Sequence, residues 1–437
     1  MRHHGLFLLL LCGLATPGTI TIAADTGDKV QVEKLTPHIY KATATKRYDV
    51  NLVFSVGPDG VLLVDTAFKE TASELREHID ALGFGAVKYV INTHSHVDHT
   101  GGNRAFGREA IIIAHPAVRE EMGKGRYIIE EDPPEALPDI TVDGTMSLFF
   151  NGEEIRIRAL PGSHDNDDLM VHFTKSGIVY MGDLAYGLHY PTYDTRSGDA
   201  RRYADIVAAA LEGLPEDTVV VSGHGKNCTM ADMREYQAML AATTSIVMEA
   251  LDQGTPREAI EPSLLGKWAD YAGPYQGAAG WITSLIDSRE NAGKTHVPII
   301  EPLYRARKSG GMPAAIATFN RITAENPGDY HLELYLFGQY AVDQQAWQDA
   351  AEIFALANSA SPNNPFTWLF WSLQADAHAA MGQKRMAIEK YDRALKINPD
   401  YATARDKRDA LIKELETLGR FGRQSNRRLR ALPAAAG

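Results

Sequence analysis

The 437-residue sequence contains only two cysteines, Cys12 and Cys228. Cys12 lies inside an N-terminal apolar stretch that we expect to be removed, so the mature chain would keep a single cysteine. A single cysteine cannot form an internal disulfide, and a disulfide framework is therefore excluded. The stability of the folded chain has to come from elsewhere, in the first place from packing.

The sequence also lacks an excess of positive charge. Asp and Glu residues number 56 against 44 Lys and Arg residues, which gives a formal net charge of -12. Phosphate recognition depends on concentrated Lys and Arg, so this balance argues against a general nucleic-acid-binding protein. Basic residues concentrate only near the C-terminus, and we interpret residues 416–437 as a basic, flexible, solvated tail.

The N-terminal apolar run, from Leu6 to Ala15, is too short to cross a bilayer. It follows Arg2 and precedes the small residues Ala23 and Ala24, which is the pattern of a secretory signal peptide. We therefore predict that residues 1–24 are a signal peptide. The mature protein is expected to be periplasmic or secreted and to keep no stable membrane span.

The length exceeds that of a single hydrophobic core, so we expect two domains. From Val30 onward, short predicted strands alternate with predicted helices, and Asp59-Gly60 between two apolar runs predicts a hairpin. The alternation gives way to helical segments that end near Glu290. This pattern indicates a layered arrangement of strands and helices, which we assign to residues 25–295.

Beyond Pro302 the strand signals end and helical patterns repeat. Pro327, Pro362 and Pro399 lie 35 and 37 residues apart, an interval that matches the tetratricopeptide class. We predict an all-α, tetratricopeptide-like region over residues 300–415, with an ordinary helical bundle as the alternative. A concave repeat surface would suit a protein partner, and the same helices could instead pack on the preceding domain or form a homodimer.

Four potential metal ligands occur within six residues, directly after a predicted apolar strand: His94, His96, Asp98 and His99. In an extended segment His94 and His96 point the same way and can share one metal ion. Asp98 and His99 require a turn, which the following glycine pair permits, and a second metal ion then becomes reachable. Nitrogen and oxygen ligands suit zinc and also iron or manganese, and the lack of thiolate argues against a purely structural zinc site.

This run resembles the metal-binding signature of the metallo-β-lactamase superfamily, and the resemblance extends from about residue 30 to residue 290. It implies an αββα sandwich, and together with the predicted tetratricopeptide-like helices this gives an α+β chain. It also implies two metal sites that share one carboxylate. The first site is formed by His94, His96 and His164, the second by Asp98, His99 and His224, and the bridge between them by Asp183. Asp65 resembles the acidic residue that orders the metal-binding loop without being a ligand.

Two divalent ions, with zinc as the first expectation, would lower the pKa of a bridging water and provide a hydroxide nucleophile. Asp98 would additionally orient that hydroxide. The expected activity is therefore metal-dependent hydrolysis of a small-molecule substrate.

The aspartate at position 183 bears on the substrate, because β-lactamases of this fold place Cys or Ser there, whereas thioesterase, lactonase and phosphodiesterase relatives have Asp. We expect cleavage of an ester, thioester, lactone or related acyl bond. Alternatives are a β-lactam-hydrolysing enzyme, a sulfur dioxygenase, and a repeat-based binding or scaffold protein with a secondary metal domain. Alkylsulfatase relatives have Glu at positions 164 and 183, and flavo-diiron relatives have Glu at position 96, so both fit less well.

The loop after Asp183 contains three candidate substrate-binding residues, Tyr186, His189 and Tyr190. Packing of these aromatic side chains within a long loop is the competing interpretation.

Overall fold

The structure is a computed structural model that describes residues 29–46, 48–123, 132–294, 296–362, 364, 366–399 and 401–430. The predicted signal peptide, residues 1–24, lies outside the described residues. Within the described ranges, no helix is both long enough and apolar enough to cross a membrane.

The first sheet begins with antiparallel strands and continues with parallel ones. In spatial order it contains β1 (Lys29–Lys34), β2 (Ile39–Thr45), β3 (Asp49–Gly57), β4 (Gly60–Val64), β5 (Val87–Ile91), β6 (Ile111–Ala114) and β7 (Ile140–Thr141). The predicted hairpin joins β3 to β4, with Gly57 opposite Gly60. Gly60 has a φ of 114°, a conformation that other residues rarely adopt, so glycine is needed at this turn.

The second sheet is antiparallel except for the parallel pair β11 and β12. Its strands are β8 (Thr145–Phe150), β9 (Glu153–Ala159), β10 (Leu169–Phe173), β11 (Ile178–Tyr180), β12 (Val219–Val221) and β13 (Cys228–Thr229), in the spatial order β13-β12-β11-β10-β9-β8.

Helices cover the outer faces of both sheets. In this part of the chain they are α1 (Ala72–Ala81), α2 (Val97–Thr100), α3 (Asn103–Phe106), α4 (Pro116–Gly123), α5 (Tyr203–Leu211), α6 (Met230–Asp252) and α7 (Ala278–Glu290). Short 3-10 helices lie at Pro134–Ala136, Gly182–Leu184, Ala200–Arg202, Arg257–Ala259 and Pro262–Tyr271. The start of α6 is fixed by a capping box, in which the side chains of Thr229 and Asp232 each accept a hydrogen bond from the other's backbone N–H.

Three apolar cores define the layers. Between the sheets, Val53, Leu62 and Ile91 pack against Ile157 and Val171. The outer face of the first sheet packs against α1, and the outer face of the second sheet packs against α5, α6 and α7. Because each sheet is apolar on both faces, it has to be covered on both, and the result is the αββα sandwich that the resemblance implied.

The remainder of the described chain is all-helical, as predicted. Its helices are α8 (Ile300–Glu325), α9 (His331–Asp343), α10 (Trp347–Ala360), α11 (Thr367–Ala380), α12 (Lys384–Ile397) and α13 (Ala402–Arg430). Each predicted proline turn separates two of them, because proline disfavours a helical conformation in the residue before it. Non-helical backbone angles at Gly310 and Gly311 divide α8. The tetratricopeptide-like character of this region stays a prediction.

The predicted flexible tail, residues 416–437, overlaps the last helix. Helix α13 continues to Arg430, so residues 416–430 of the tail are helical, while its residues 431–437 lie outside the described residues, and the flexibility of the tail stays a prediction. Helix α13 contains no proline and is rich in Arg and Leu, two residues with strong helix propensity.

Candidate metal centre

The structure brings all seven predicted ligands together at one edge of the sandwich. Their positions follow from the strands: the residues after β5 carry four of them, the β9–β10 turn carries His164, and the ends of β11 and β12 carry Asp183 and His224. Because the parallel strands β11 and β12 end at the same edge, the side chains that follow them meet there.

The first group consists of His94, His96, His164 and Asp183, and one potential ligand atom from each lies within 4.8 Å of the others. Nε2 of His164 lies 3.2 Å from Nδ1 of His96 and 3.5 Å from Oδ2 of Asp183. Nε2 of His94 lies 4.0 Å from the same carboxylate oxygen. Three imidazole nitrogens and a carboxylate thus surround a single point.

The second group consists of Asp98, His99 and His224. Nε2 of His224 lies 3.3 Å from Oδ2 of Asp98 and also 3.3 Å from Oδ2 of Asp183. Nε2 of His99 lies 3.2 Å from Oδ1 of Asp183. The carboxylate of Asp183 therefore contacts both groups and lies between them.

The outward-facing nitrogens of the imidazoles are held by hydrogen-bonding partners. These contacts are His94 Nδ1 with Thr93 Oγ1, His99 Nδ1 with Asp65 Oδ2, His164 Nδ1 with the Thr192 carbonyl, and His224 Nδ1 with the Asp49 carbonyl. The inward-facing atoms His94 Nε2, His99 Nε2 and Asp183 Oδ1 are buried without a hydrogen-bond partner among the described residues. Buried polar atoms are normally satisfied, so this arrangement fits a pair of divalent cations.

Asp65 fixes the loop that carries His94 to His99 through hydrogen bonds to its carboxylate. Its carboxylate accepts hydrogen bonds from the backbone N–H and the hydroxyl of Thr93 and from the hydroxyl of Tyr180. Its φ of 64° is unusual for a non-glycine residue. The sequence placed Asp65 near the loop, but it gave no signal for Tyr180, which reaches Asp65 from the second sheet.

Electrostatics around the cluster favour cation binding. Burial lowers the pKa of His94 well below its usual value and that of His164 to about 4, which keeps both imidazoles neutral. Burial opposes ionisation of Asp98, but His99 and His224 outweigh it and lower the pKa of that carboxyl to about 2. Although burial opposes it, the carboxylate of Asp183 raises the pKa of both His99 and His224. The buried carboxylates thus attract positive charge, and a divalent cation would take the place of these protons.

Sequence reasoning missed Asp194. Its Oδ2 lies 3.4 Å from Nε2 of His96, on the side of the ring that faces away from His164, and Arg196 holds the carboxylate in a salt bridge. Asp165 lies on the same side, 3.7 Å from His96. A lone aspartate in a long loop carries no local signal for this position.

The three candidate substrate-binding residues have different environments. Tyr186 lies in the site, where its hydroxyl donates to Oδ2 of Asp183 at 2.6 Å and its ring stacks on His224. Tyr190 does not lie in the site: it is fully buried, stacks on Trp281 and donates to the Trp268 carbonyl. His189 packs against Gly273 instead of facing the cluster. The loop reverses direction after Tyr186, at Gly187 with its φ of 64°, and this separates the side chains.

A pocket extends from the cluster to the helical region and encloses about 780 Å³ of empty space, including its opening to solvent. Its floor is formed by the cluster together with the aromatic side chains of Tyr48, Tyr186 and Tyr275. Its roof comes from α9 and from the start of α11, and consists of His331, Leu332, Tyr335, Leu336, Phe366, Leu369 and Phe370. The sequence left open whether the helical region packs on the preceding domain, and no pattern in it indicated which helical residues line the site.

Comparisons with known proteins agree with this geometry. The sequence profile of the Metallo-beta-lactamase superfamily matches residues 46–224. The probable hydroxyacylglutathione hydrolase glo2 of Schizosaccharomyces pombe is 24% identical over 190 residues, which are 43% of this chain and 63% of that protein. The hydroxyacylglutathione hydrolase of Erythrobacter litoralis is 25% identical over 174 residues, 38% of this chain and 62% of that protein. The chain thus spans less than two thirds of the length of both relatives.

Among solved structures, a metallo-beta-lactamase from Pontibacter korlensis aligns with a TM-score of 0.44 at 20% identity, over 48% of this chain and 99% of that one. The profile match covers the strands that carry the cluster and ends at His224, the last of its seven residues in the sequence. Residues 46–224 are therefore similar in sequence to the Metallo-beta-lactamase superfamily.

Proposed function

We propose that this chain is an exported, metal-dependent hydrolase that cleaves an ester, thioester, lactone or related acyl bond of a small molecule. The observation that carries the proposal is the pair of buried His and Asp groups joined by Asp183, with inward-facing atoms that lack hydrogen-bond partners among the described residues. No nucleophilic Ser or Cys is needed for this chemistry.

We assign His94, His96 and His164 to one metal ion, Asp98, His99 and His224 to the other, and Asp183 to both. Two divalent ions, with zinc as the proposed metal, would supply Lewis acidity and would acidify a water molecule so that it attacks at neutral pH. Imidazole and carboxylate ligands without thiolate are the donors expected for such a catalytic site.

The chain's own residues would position the reaction. The hydroxyl of Tyr186 donates to Asp183 and fixes the orientation of that carboxylate. Asp98 belongs to the second group and also lines the pocket. Its ionised carboxylate can therefore orient the attacking water. The aromatic floor and the roof reduce the contact of the cluster with bulk water, which strengthens electrostatic interactions beside it.

Two observations support acyl chemistry. Aspartate occupies position 183, where thioesterase, lactonase and phosphodiesterase relatives have it and dedicated β-lactamases have Cys or Ser. Two relatives of the matched domain are named hydroxyacylglutathione hydrolases. We therefore propose an acyl substrate first, and a β-lactam substrate is the second candidate.

The test combines metal analysis with a substrate panel. Purified protein should contain about two equivalents of divalent metal per chain, and it should hydrolyse at least one ester, thioester or lactone, with β-lactams assayed beside them. Asp183→Ala should lose bound metal and at least about 100-fold in activity. Asp205→Ala, an exposed position on α5, is the matched control and should retain both. Full activity of Asp183→Ala would refute the proposed site.

Export is proposed from the N-terminal sequence alone and has its own test. Mass spectrometry of the protein recovered from a bacterial periplasm should show a chain that begins after Ala24. Recovery of the uncleaved chain from the cytoplasm would refute it.

A further inference from the structure

The roof of the pocket belongs to a part of the chain that begins more than 100 residues after the last predicted metal ligand. Helix α9 contributes Leu332, Tyr335 and Leu336, and the start of α11 contributes Phe366, Leu369 and Phe370. These six side chains are aliphatic or aromatic. The wall that faces the metal cluster is therefore largely apolar.

The roof is held in place by polar contacts at its edges. The hydroxyl of Thr195, in the loop beside the cluster, donates to the Asp329 carbonyl at 3.2 Å. The Asp329 carboxylate in turn lies 2.8 Å from His331 and accepts hydrogen bonds from Ser361 and Asn364. One residue thus connects the catalytic loop with the beginnings of α9 and α11. The roof is therefore held against the rest of the pocket by specific polar contacts.

The lining also indicates which ligands the pocket would not hold well. No Lys or Arg occurs among the described residues that line it. The imidazole contributed by α9, His331, is balanced by the carboxylate of Asp329. A strongly anionic group would lose its hydration in this pocket without gaining a cation from the roof, whereas an apolar group would gain by leaving water.

We propose that α9 and the start of α11 form a subsite for an apolar part of the substrate. This rests on the proposed hydrolase function and narrows it to esters or thioesters that carry an aromatic or medium-length alkyl group. The reacting bond would lie at the metal cluster, and the apolar group would extend toward Leu336 and Phe370.

The experiment measures kcat/KM of the metal-loaded full chain for p-nitrophenyl esters from acetyl to octanoyl. The octanoyl ester should be preferred over the acetyl ester by about tenfold or more. Leu336→Gln replaces a pocket side chain with a polar one of similar size and should remove most of that preference. Leu334→Ala shortens a fully buried residue of the same helix that lies outside the pocket, and it should keep the preference even if it lowers stability.

A second measurement separates this inference from the proposed function. Binding of 2-methoxynaphthalene, an apolar ether that the enzyme would not hydrolyse, is followed by its fluorescence in wild type and in Leu336→Gln. Hydrolysis without chain-length preference, or with a preference that Leu336→Gln leaves intact, would overturn the subsite and leave the hydrolase standing. Binding that depends on Leu336, combined with no hydrolysis of any ester, thioester, lactone or β-lactam, would overturn the hydrolase and leave the subsite standing.

Discussion

Oδ2 of Asp65 lies 2.7 Å from Nδ1 of His99, on the side of the imidazole that faces away from Asp183. The same carboxylate accepts a hydrogen bond from the backbone N–H of Thr93, the residue directly before the run of proposed metal ligands. One buried acid thus sets both the path of the loop and the orientation of a proposed ligand. Because the contact directs Nε2 of His99 into the cluster, its loss should weaken metal binding without removing a ligand.

Asp65→Asn should therefore reduce metal affinity by about 10- to 100-fold, with a parallel loss of hydrolysis at limiting metal. Competition with a chelator of known affinity measures the first effect, and metal titration of activity measures the second. Asp205→Asn, on the exposed side of α5, serves as control. Unchanged affinity in Asp65→Asn would show that the carboxylate does not support the site.

Gly223 lies against the proposed bridging residue. A Cβ atom at this position would overlap Oδ1 of Asp183 and would come within 2.7 Å of the Gly182 backbone. Gly223→Ala should therefore displace the carboxylate and lower metal content and activity by at least about tenfold. Gly144→Ala, where a Cβ would meet nothing within 4 Å, should leave both at wild-type values. Metal analysis and activity assays measure these effects. A Gly223→Ala variant with full metal content and full activity would contradict the predicted displacement of the Asp183 carboxylate.

Tyr186 and Tyr190 provide a paired test of the corrected loop. Tyr186→Phe removes the hydrogen bond to Asp183 and should lower kcat/KM by about tenfold. Tyr190→Phe removes a hydrogen bond to the Trp268 carbonyl within the core. It should cost about 1 kcal/mol in the free energy of unfolding and leave kcat/KM unchanged. Steady-state kinetics and urea denaturation of both variants measure these effects. A loss of kcat/KM in Tyr190→Phe but not in Tyr186→Phe would show that Tyr190 contacts the substrate.

Asp329 should make the stability of the roof dependent on pH. Burial opposes its ionisation, but the charge of His331 and the surrounding hydrogen bonds outweigh burial and lower the pKa of Asp329 to about 2. A carboxyl whose folded-state pKa lies below its unfolded value stabilises the fold above that unfolded value, near pH 4, and the contribution disappears as the pH falls toward 2. From this shift we expect Asp329→Asn to cost about 2 kcal/mol at pH 7.

Urea denaturation at pH 7 and at pH 3 measures this effect, and the difference between wild type and Asp329→Asn should shrink at the lower pH. Asp392→Asn removes an exposed carboxylate that pairs with Arg408 and should cost less than about 1 kcal/mol. An equal cost of Asp329→Asn at both values of pH would exclude the proposed role of its charge.

The amino-acid sequence by itself determined the alternation of strands and helices and the run of four potential ligands from His94 to His99, and the family resemblance then implied the sandwich and the other three members of the cluster. The reason is local: four ligands lie within six residues after β5, and the others follow strands whose apolar runs are visible in the sequence. The parallel strands β11 and β12 end at the same edge of their sheet, but that His164 joins this group was implied by the resemblance and not by the order of the residues along the chain.

Only the tertiary structure decided which loop side chains face the cluster and what covers it. Tyr186 and Tyr190 are alike in sequence, but the backbone turn between them directs one toward Asp183 and the other into the core. Leu336 and Phe370 reach the pocket because α9 and α11 pack above it, and no local pattern records a contact between segments so far apart. Side-chain direction in loops and the docking of distant helices depend on non-local packing, which the sequence encodes only through the complete fold.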